Sequence, residues 1–164
     1  MTEDTKDTED TMDTADTHRT RALVERFNQA RAANDVEAIR GLLADDVEWH
    51  PPQSVRTRPF RGRDRVTLAL TGGNTSGVLD VASIRREIVD VVVDGDRAVV
   101  RQLMTATRLD GVPYANDYCW VYTFRDGLLA TLVEYGDTLL IARAGFIPLD
   151  APPAPSPGTE RTPA

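Results

Sequence analysis

The stretch GVPYANDYCWVYTFRDGLLATLVEYGDT, residues 111–138, decides the fold. It reads as two β-strands joined by a tight Asp126-Gly127 turn, a strong hairpin signal. Side chains alternate faces along a strand, so Tyr114, Asn116, Tyr118, Trp120 and Tyr122 share one face. An aromatic face containing an amide is unlike an ordinary core strand, which favours Val, Ile and Leu. The second strand runs through the apolar Leu128–Val133 and ends on a carboxylate, Glu134. Polar groups converging on an apolar surface are the composition of a small-molecule pocket.

Outward from this hairpin the same punctuation recurs. Asp94-Gly95 and Asp110-Gly111 separate strand patterns at Arg85–Val93 and Arg97–Arg108 from their neighbours. Upstream the period changes to that of helices. Leu23, Val24, Phe27 and Ala30 predict a helix over roughly 19–33. Asn34 followed by Glu37 resembles a capping box for a second helix carrying Ile39, Leu42 and Leu43. A short strand, Val47–His50, stops at Pro51-Pro52 because proline removes a ladder donor. A third helix is expected over Asp64–Leu70, ended by Gly72 and Gly73. Asp137 reads as the N-cap of a last helix, Thr138–Ala144, closed by Gly145. Helices first and an antiparallel meander later give an α+β domain. Three helices on one face of a curved sheet would enclose a cone-shaped cavity.

The ends differ in composition from this core. Residues 1–17 carry seven acids and one lysine, a net of −6, so only −1 of the chain's −7 belongs to the rest. Such a Thr/Asp/Glu repeat is expected to be disordered. Residues 148–164 hold six prolines and read as an extended tail. The domain expected between them is 18–147, a usual single-domain size. A near-neutral core without a Lys/Arg stripe argues against a nucleic-acid partner, and no apolar run is long enough for a membrane helix. The lone Cys119 and the absence of a secretory pattern fit a cytoplasmic protein. Two histidines and one cysteine do not make a His/Cys zinc site. No phosphate-binding glycine loop or G-x-S-x-G elbow is present. Chemistry without a metal or cofactor is what remains.

LLADDVEWHPP at 42–52 and GVPYANDYCWVYTFRDGLLATLVEYGDT at 111–138 resemble the SnoaL-like branch of the nuclear-transport-factor-2-like superfamily, which includes ketosteroid isomerases and limonene epoxide hydrolase. The likeness covers roughly residues 19–146. It implies the conical α+β fold, a small-molecule ligand and a homodimer packed through the outer sheet face, where Val91, Val93, Val121 and Thr123 would lie. The fold hosts isomerases, cyclases, hydrolases, dehydratases and non-catalytic binders, so it does not fix a reaction. In the ketosteroid isomerases the general base precedes a proline at the end of the first strand, a position held here by His50. Their oxyanion-donating tyrosine falls on Phe27, and their protonated aspartate on or near Trp120. Without those donors a steroid enolate loses its electrostatic stabilisation. Relative to the epoxide hydrolase, Arg101 and Glu134 match, while the second aspartate falls on Leu103.

The catalytic candidates are therefore His50, Glu134 and Arg101. A cavity histidine would have a useful neutral fraction at pH 7, although a strand-end histidine bonded to water is the plainer alternative. Burial would raise the Glu134 pKa towards a proton-donating form; a structural partner for Arg101 is the alternative. Arg101 is equally readable as an exposed strand residue. Trp49, Tyr114, Asn116, Tyr118, Trp120 and Phe27 are the substrate-binding candidates, with core packing as their competitor. The expected activity is acid/base catalysis on a mostly apolar, polyketide-type metabolite, by isomerisation, cyclisation or dehydration. Epoxide hydrolysis and non-catalytic binding are the rivals.

Overall fold

The computed structural model describes residues 4–55 and 58–147. The chain runs α1 (Asp4–Ala33), α2 (Val36–Leu42), β1 (Leu43–His50), β2 (Phe60–Arg61), α3 (Arg63–Leu68), β3 (Leu79–Asp94), β4 (Arg97–Arg108), β5 (Pro113–Arg125), β6 (Leu128–Gly136) and α4 (Thr138–Ala144). One curved sheet has the order β2-β1-β6-β5-β4-β3. Its pairings are antiparallel except β1 with β6, which is parallel. The expected α+β architecture is present. The Pro-rich segment 148–164 lies outside the described residues.

Several boundaries differ from expectation. The first helix begins at Asp4 rather than near 19, so it runs through most of the stretch expected to be disordered. The cap of α2 is Asp35, whose carboxylate accepts from the Ala38 amide at 3.0 Å. Asn34 instead takes a positive φ of 51° in the turn after α1, a conformation asparagine tolerates better than most residues. Leu43 opens β1 rather than ending α2. After α3 the backbone widens through Ala69–Gly73, and Gly72 at φ 115° ends the helix, where a side chain would be strained. The Asp126-Gly127 turn has φ of 53° and 75°, the paired positive values that two-residue hairpins need.

The core lies between the concave sheet face and the helices. On β5, Tyr114, Asn116, Tyr118, Trp120, Tyr122 and Phe124 are all buried, while the alternate residues are not. Helix α1 lays Val24 and Phe27 into this face, and the Phe27 ring meets Tyr122 edge-on at 5.5 Å. Leu129 and Leu132 of β6 and Val100 of β4 complete the apolar floor. At the open end α4 starts where expected, with the Asp137 carboxylate accepting from the Leu139 and Leu140 amides at 2.9 and 3.1 Å. Asp137→Ala is expected to cost about 1 kcal/mol in urea unfolding, the usual worth of an N-cap.

Candidate active site

Strand parity sets the contents of the cavity. Opposite residues of neighbouring strands share a face, so the Trp120–Glu134 and Gln102–Tyr118 pairs both point to the concave side. Arg86 pairs with Met104 one strand further out. Arg31 enters from α1, four residues after Phe27 on the same helical stripe. The resulting cavity is lined by Arg31, Trp49, Arg86, Gln102, Tyr118, Trp120 and Glu134, with Pro51, Pro52, Val55, Leu70 and Phe146 among the apolar residues. Its volume is about 60 Å³, well below the ~300 Å³ at the lower end of drug-sized ligand pockets. A polycyclic ligand would therefore require lining side chains to move.

Glu134 supplies the carboxyl of this cavity's lining. Its Oε2 accepts a 3.0 Å hydrogen bond from Trp49 Nε1. Burial pushes its pKa up to about 7, against the opposing pull of the Arg31 charge and the indole hydrogen bond. The carboxyl is thus divided between acid and base forms at neutral pH, the condition that suits proton transfer best. Tyr118 stays a phenol, because burial and the adjacent Tyr114 raise its pKa far above neutrality.

A hydrogen-bonded chain fixes that phenol. The Tyr118 and Tyr114 hydroxyls are 2.7 Å apart, and Asn116 Nδ2 donates to the Tyr114 hydroxyl at 3.1 Å. The same amide donates to the Asp137 carbonyl, while Asn116 Oδ1 accepts from the Asp137 amide. Gly136 makes the packing possible, since a Cβ there would sit 3.1 Å from the Tyr118 ring. Asn116 and Tyr114 therefore stand behind Tyr118, outside the lining of this cavity. Phe27 is likewise outside the lining, packed on Tyr122. Trp49, Trp120, Tyr118 and Glu134 are the expected residues that reach the cavity.

Two catalytic candidates are outside this lining, although His50 borders an adjoining groove that also reaches Glu134. His50 follows Trp49 on β1 and so faces away from it; its ring is 41% exposed and lies 3.0 Å from Glu48, which also pairs with Arg61 at 2.9 Å. Arg101 is on the convex face, 58% exposed and 3.7 Å from Asp117. Arg101→Gln is expected to change stability by less than about 1 kcal/mol, as for exposed ion pairs generally, and to leave ligand affinity unchanged in a titration. The sequence reading missed Arg31, Arg86 and Gln102. Arg31 and Gln102 were visible as polar residues in buried registers, the first in an apolar helical stripe and the second alternating with Val100 and Met104. Arg86 was not, because register shifts on both sides of 85–88 break the alternation of β3.

Among the described residues no three His, Cys, Asp or Glu are placed to hold a metal ion, and no helix is long and apolar enough to cross a membrane. Similar folds occur in an NTF2-like protein of unknown function from Burkholderia pseudomallei (TM-score 0.69, 22% identity, covering 77% of this chain and 96% of that one) and in TerC co-crystallised with polyporic acid (0.67, 22%, 77% and 97%). A third is a protein of ketosteroid-isomerase-like fold from Catenulispora acidiphila, in complex with trimethylamine (0.64, 14%, 80% and 97%). At these identities the likeness establishes the fold. No curated protein matches the chain in sequence. Residues 24–132 match the SnoaL-like domain, and the chain belongs to that family.

Proposed function

We propose that this protein is a cofactor-independent acid/base enzyme that isomerises, cyclises or dehydrates a small, largely apolar metabolite of polyketide type. The observation that carries the reading is Glu134, a carboxyl buried in a cavity with its pKa near 7. Glu134 takes a proton from the carbon beside a substrate carbonyl and returns it at the second position. Tyr118 donates to the oxyanion that develops, and Trp49 holds the carboxyl in place through its indole N–H. The indoles of Trp49 and Trp120, with Tyr118, offer flat apolar walls to a ring system. A neighbour of similar fold co-crystallised with polyporic acid is in keeping with a small-molecule ligand.

His50 is not in the lining of that cavity and meets Glu134 only in an adjoining groove, which favours Glu134 over the histidine as the base. Epoxide hydrolysis through Arg101 and Glu134 loses support for a similar reason, since the arginine and the carboxyl lie on opposite faces of the sheet. Non-catalytic binding in the same cavity remains the rival. Native mass spectrometry of the full chain, incubated with extract of the producing cell, separates the two. A bound species absent from the extract itself, and not formed by Glu134→Gln, is the expected result. A retained but chemically unchanged compound with both proteins would overturn catalysis.

A further inference from the structure

The cavity holds a cluster of buried donors without a well-aligned hydrogen-bond partner, with the Tyr122 hydroxyl beside Arg31 as the near acceptor. Arg31 Nε and Nη1, Arg86 Nε, Gln102 Nε2 and Trp120 Nε1 are all buried without a hydrogen-bond partner, and all four residues line it. Arg31, Gln102 and Trp120 are 5%, 2% and 3% exposed. Leaving a buried donor unmet is unfavourable, and more so when it is charged. Neither arginine belongs to an ion pair among the described residues. They are nevertheless held in one corner. The Arg31 guanidinium lies 4.5 Å above the Trp120 ring, and Arg86 Nη1 donates to the Arg31 carbonyl at 3.2 Å.

Buried charges are normally paired, because an isolated one is expensive. Here two cations and a single carboxyl, Glu134, line the cavity, and that carboxyl is itself only partly ionised at neutral pH. Burial and the neighbouring Arg31 lower the Arg86 pKa to about 9, which leaves it cationic at pH 7 but records the cost of holding two positive charges together. A neutral apolar ligand would leave every one of these donors unsatisfied. An anionic oxygen group would satisfy several and neutralise the excess charge.

We propose that the cavity contains an anion subsite, in which Arg31, Arg86, Gln102 and Trp120 receive a carboxylate or an ionised phenol or enol carried by the ligand. The inference deepens the acid/base reading by naming its substrate class: a ring-bearing acid rather than a neutral ketone. It rests on that reading only for the word substrate; the subsite itself is a property of binding. It also assigns Arg31 and Arg86 the task of orienting the acid so that the carbon to be deprotonated faces Glu134.

The test is calorimetric titration of the full chain with benzoate against benzamide, and with 4-nitrophenolate against nitrobenzene. The subsite predicts that at least one anion binds ten-fold or more tightly than its neutral counterpart, and the pair that does so distinguishes a carboxylate site from a phenolate or enolate site. Arg86→Met and Arg31→Met should each bring that ratio close to one. Equal affinity for anion and neutral in both pairs overturns the subsite, and this comparison needs no variant. A preference that survives Arg86→Met also overturns it, even if Arg31→Met does not fold.

Glu134 supplies an independent arm. Its surroundings are Arg31 from α1, Arg86 from β3, Tyr114, Tyr118 and Tyr122 from β5, the Trp49 indole from β1, and His50 at the end of β1 in an adjoining groove. Glu134 is the carboxyl among them that changes ionisation between pH 6 and 8, and Glu134→Gln separates its effect from that of His50. In the wild-type protein benzoate affinity should fall as pH rises across that range, because the carboxylate competes for the same cations. In Glu134→Gln it should be flat. Loss of turnover in Glu134→Gln without any anion preference would defeat the subsite and spare the enzyme reading. Anion preference with turnover intact in Glu134→Gln would do the reverse.

Discussion

Glu134→Gln is expected to lower turnover by about a hundredfold to ten-thousandfold, the usual worth of a positioned acid or base, while leaving ligand affinity within a few-fold. The substitution isolates proton transfer from everything else in the cavity. Glutamine has the same shape, and its carbonyl oxygen can still accept from Trp49 Nε1, which sits 3.0 Å from Glu134 Oε2. The neighbouring walls therefore stay in place. What disappears is a group that exchanges a proton near pH 7. If Glu134 acts as the base in the first step, the wild-type rate should rise as pH increases through about 7 and level off above it. Tyr118 does not cut the rate at the alkaline end of a normal assay, because burial holds it in the phenol form. A rate that falls through the same range would assign Glu134 as the acid. A flat profile, or a Glu134→Gln variant with full turnover, would remove the carboxyl from the reaction.

Which residues could be found in advance follows from how strictly each element obeys its period. The β5 strand alternates without interruption, and the face read from Tyr114, Asn116, Tyr118, Trp120 and Tyr122 is the buried one. Both ends of the final hairpin were legible for a related reason: Asp126-Gly127 and the Asp137 cap are local devices, set by residues within four positions of each other. The candidates that fall outside the cavity lining are those for which chemistry outweighs parity. His50 attracted attention as a rare titratable group before a proline, yet alternation from the buried Trp49 already places it on the other face. Arg101 is a candidate through the epoxide-hydrolase resemblance, whereas its neighbour Gln102 is the one in register with the buried Val100 and Met104. The partners of Asn116 could not be read at all. Its amide is committed to Tyr114 and to the backbone of Asp137, and the second of those contacts spans 21 residues and depends on β6 returning beside β5.

The same variant should make the protein more stable at alkaline pH, by on the order of 3 kcal/mol. The folded pKa of Glu134 is about 7, against 4.5 for an unperturbed glutamate. A raised carboxyl pKa means that the folded state holds the proton more tightly than the unfolded chain does. Below about pH 4 both states are protonated and Glu134 costs nothing. Between 4.5 and 7 the unfolded chain has released its proton while the folded protein has not, so stability declines as pH rises. Above 7 the carboxylate is ionised inside the cavity and the whole penalty is present, roughly 1.4 kcal/mol for each pH unit of displacement. Glutamine carries no such charge. Urea unfolding of the two proteins should therefore give curves that converge near pH 4.5 and separate steadily towards pH 8, with Glu134→Gln the more stable. Parallel curves would show that Glu134 titrates as it does in the unfolded chain, and would undercut its role as a proton carrier. A gap of the predicted sign would mean that the fold gives up stability at the one position where a buried, titrating carboxyl is useful, a trade expected at a catalytic site and not at a structural one.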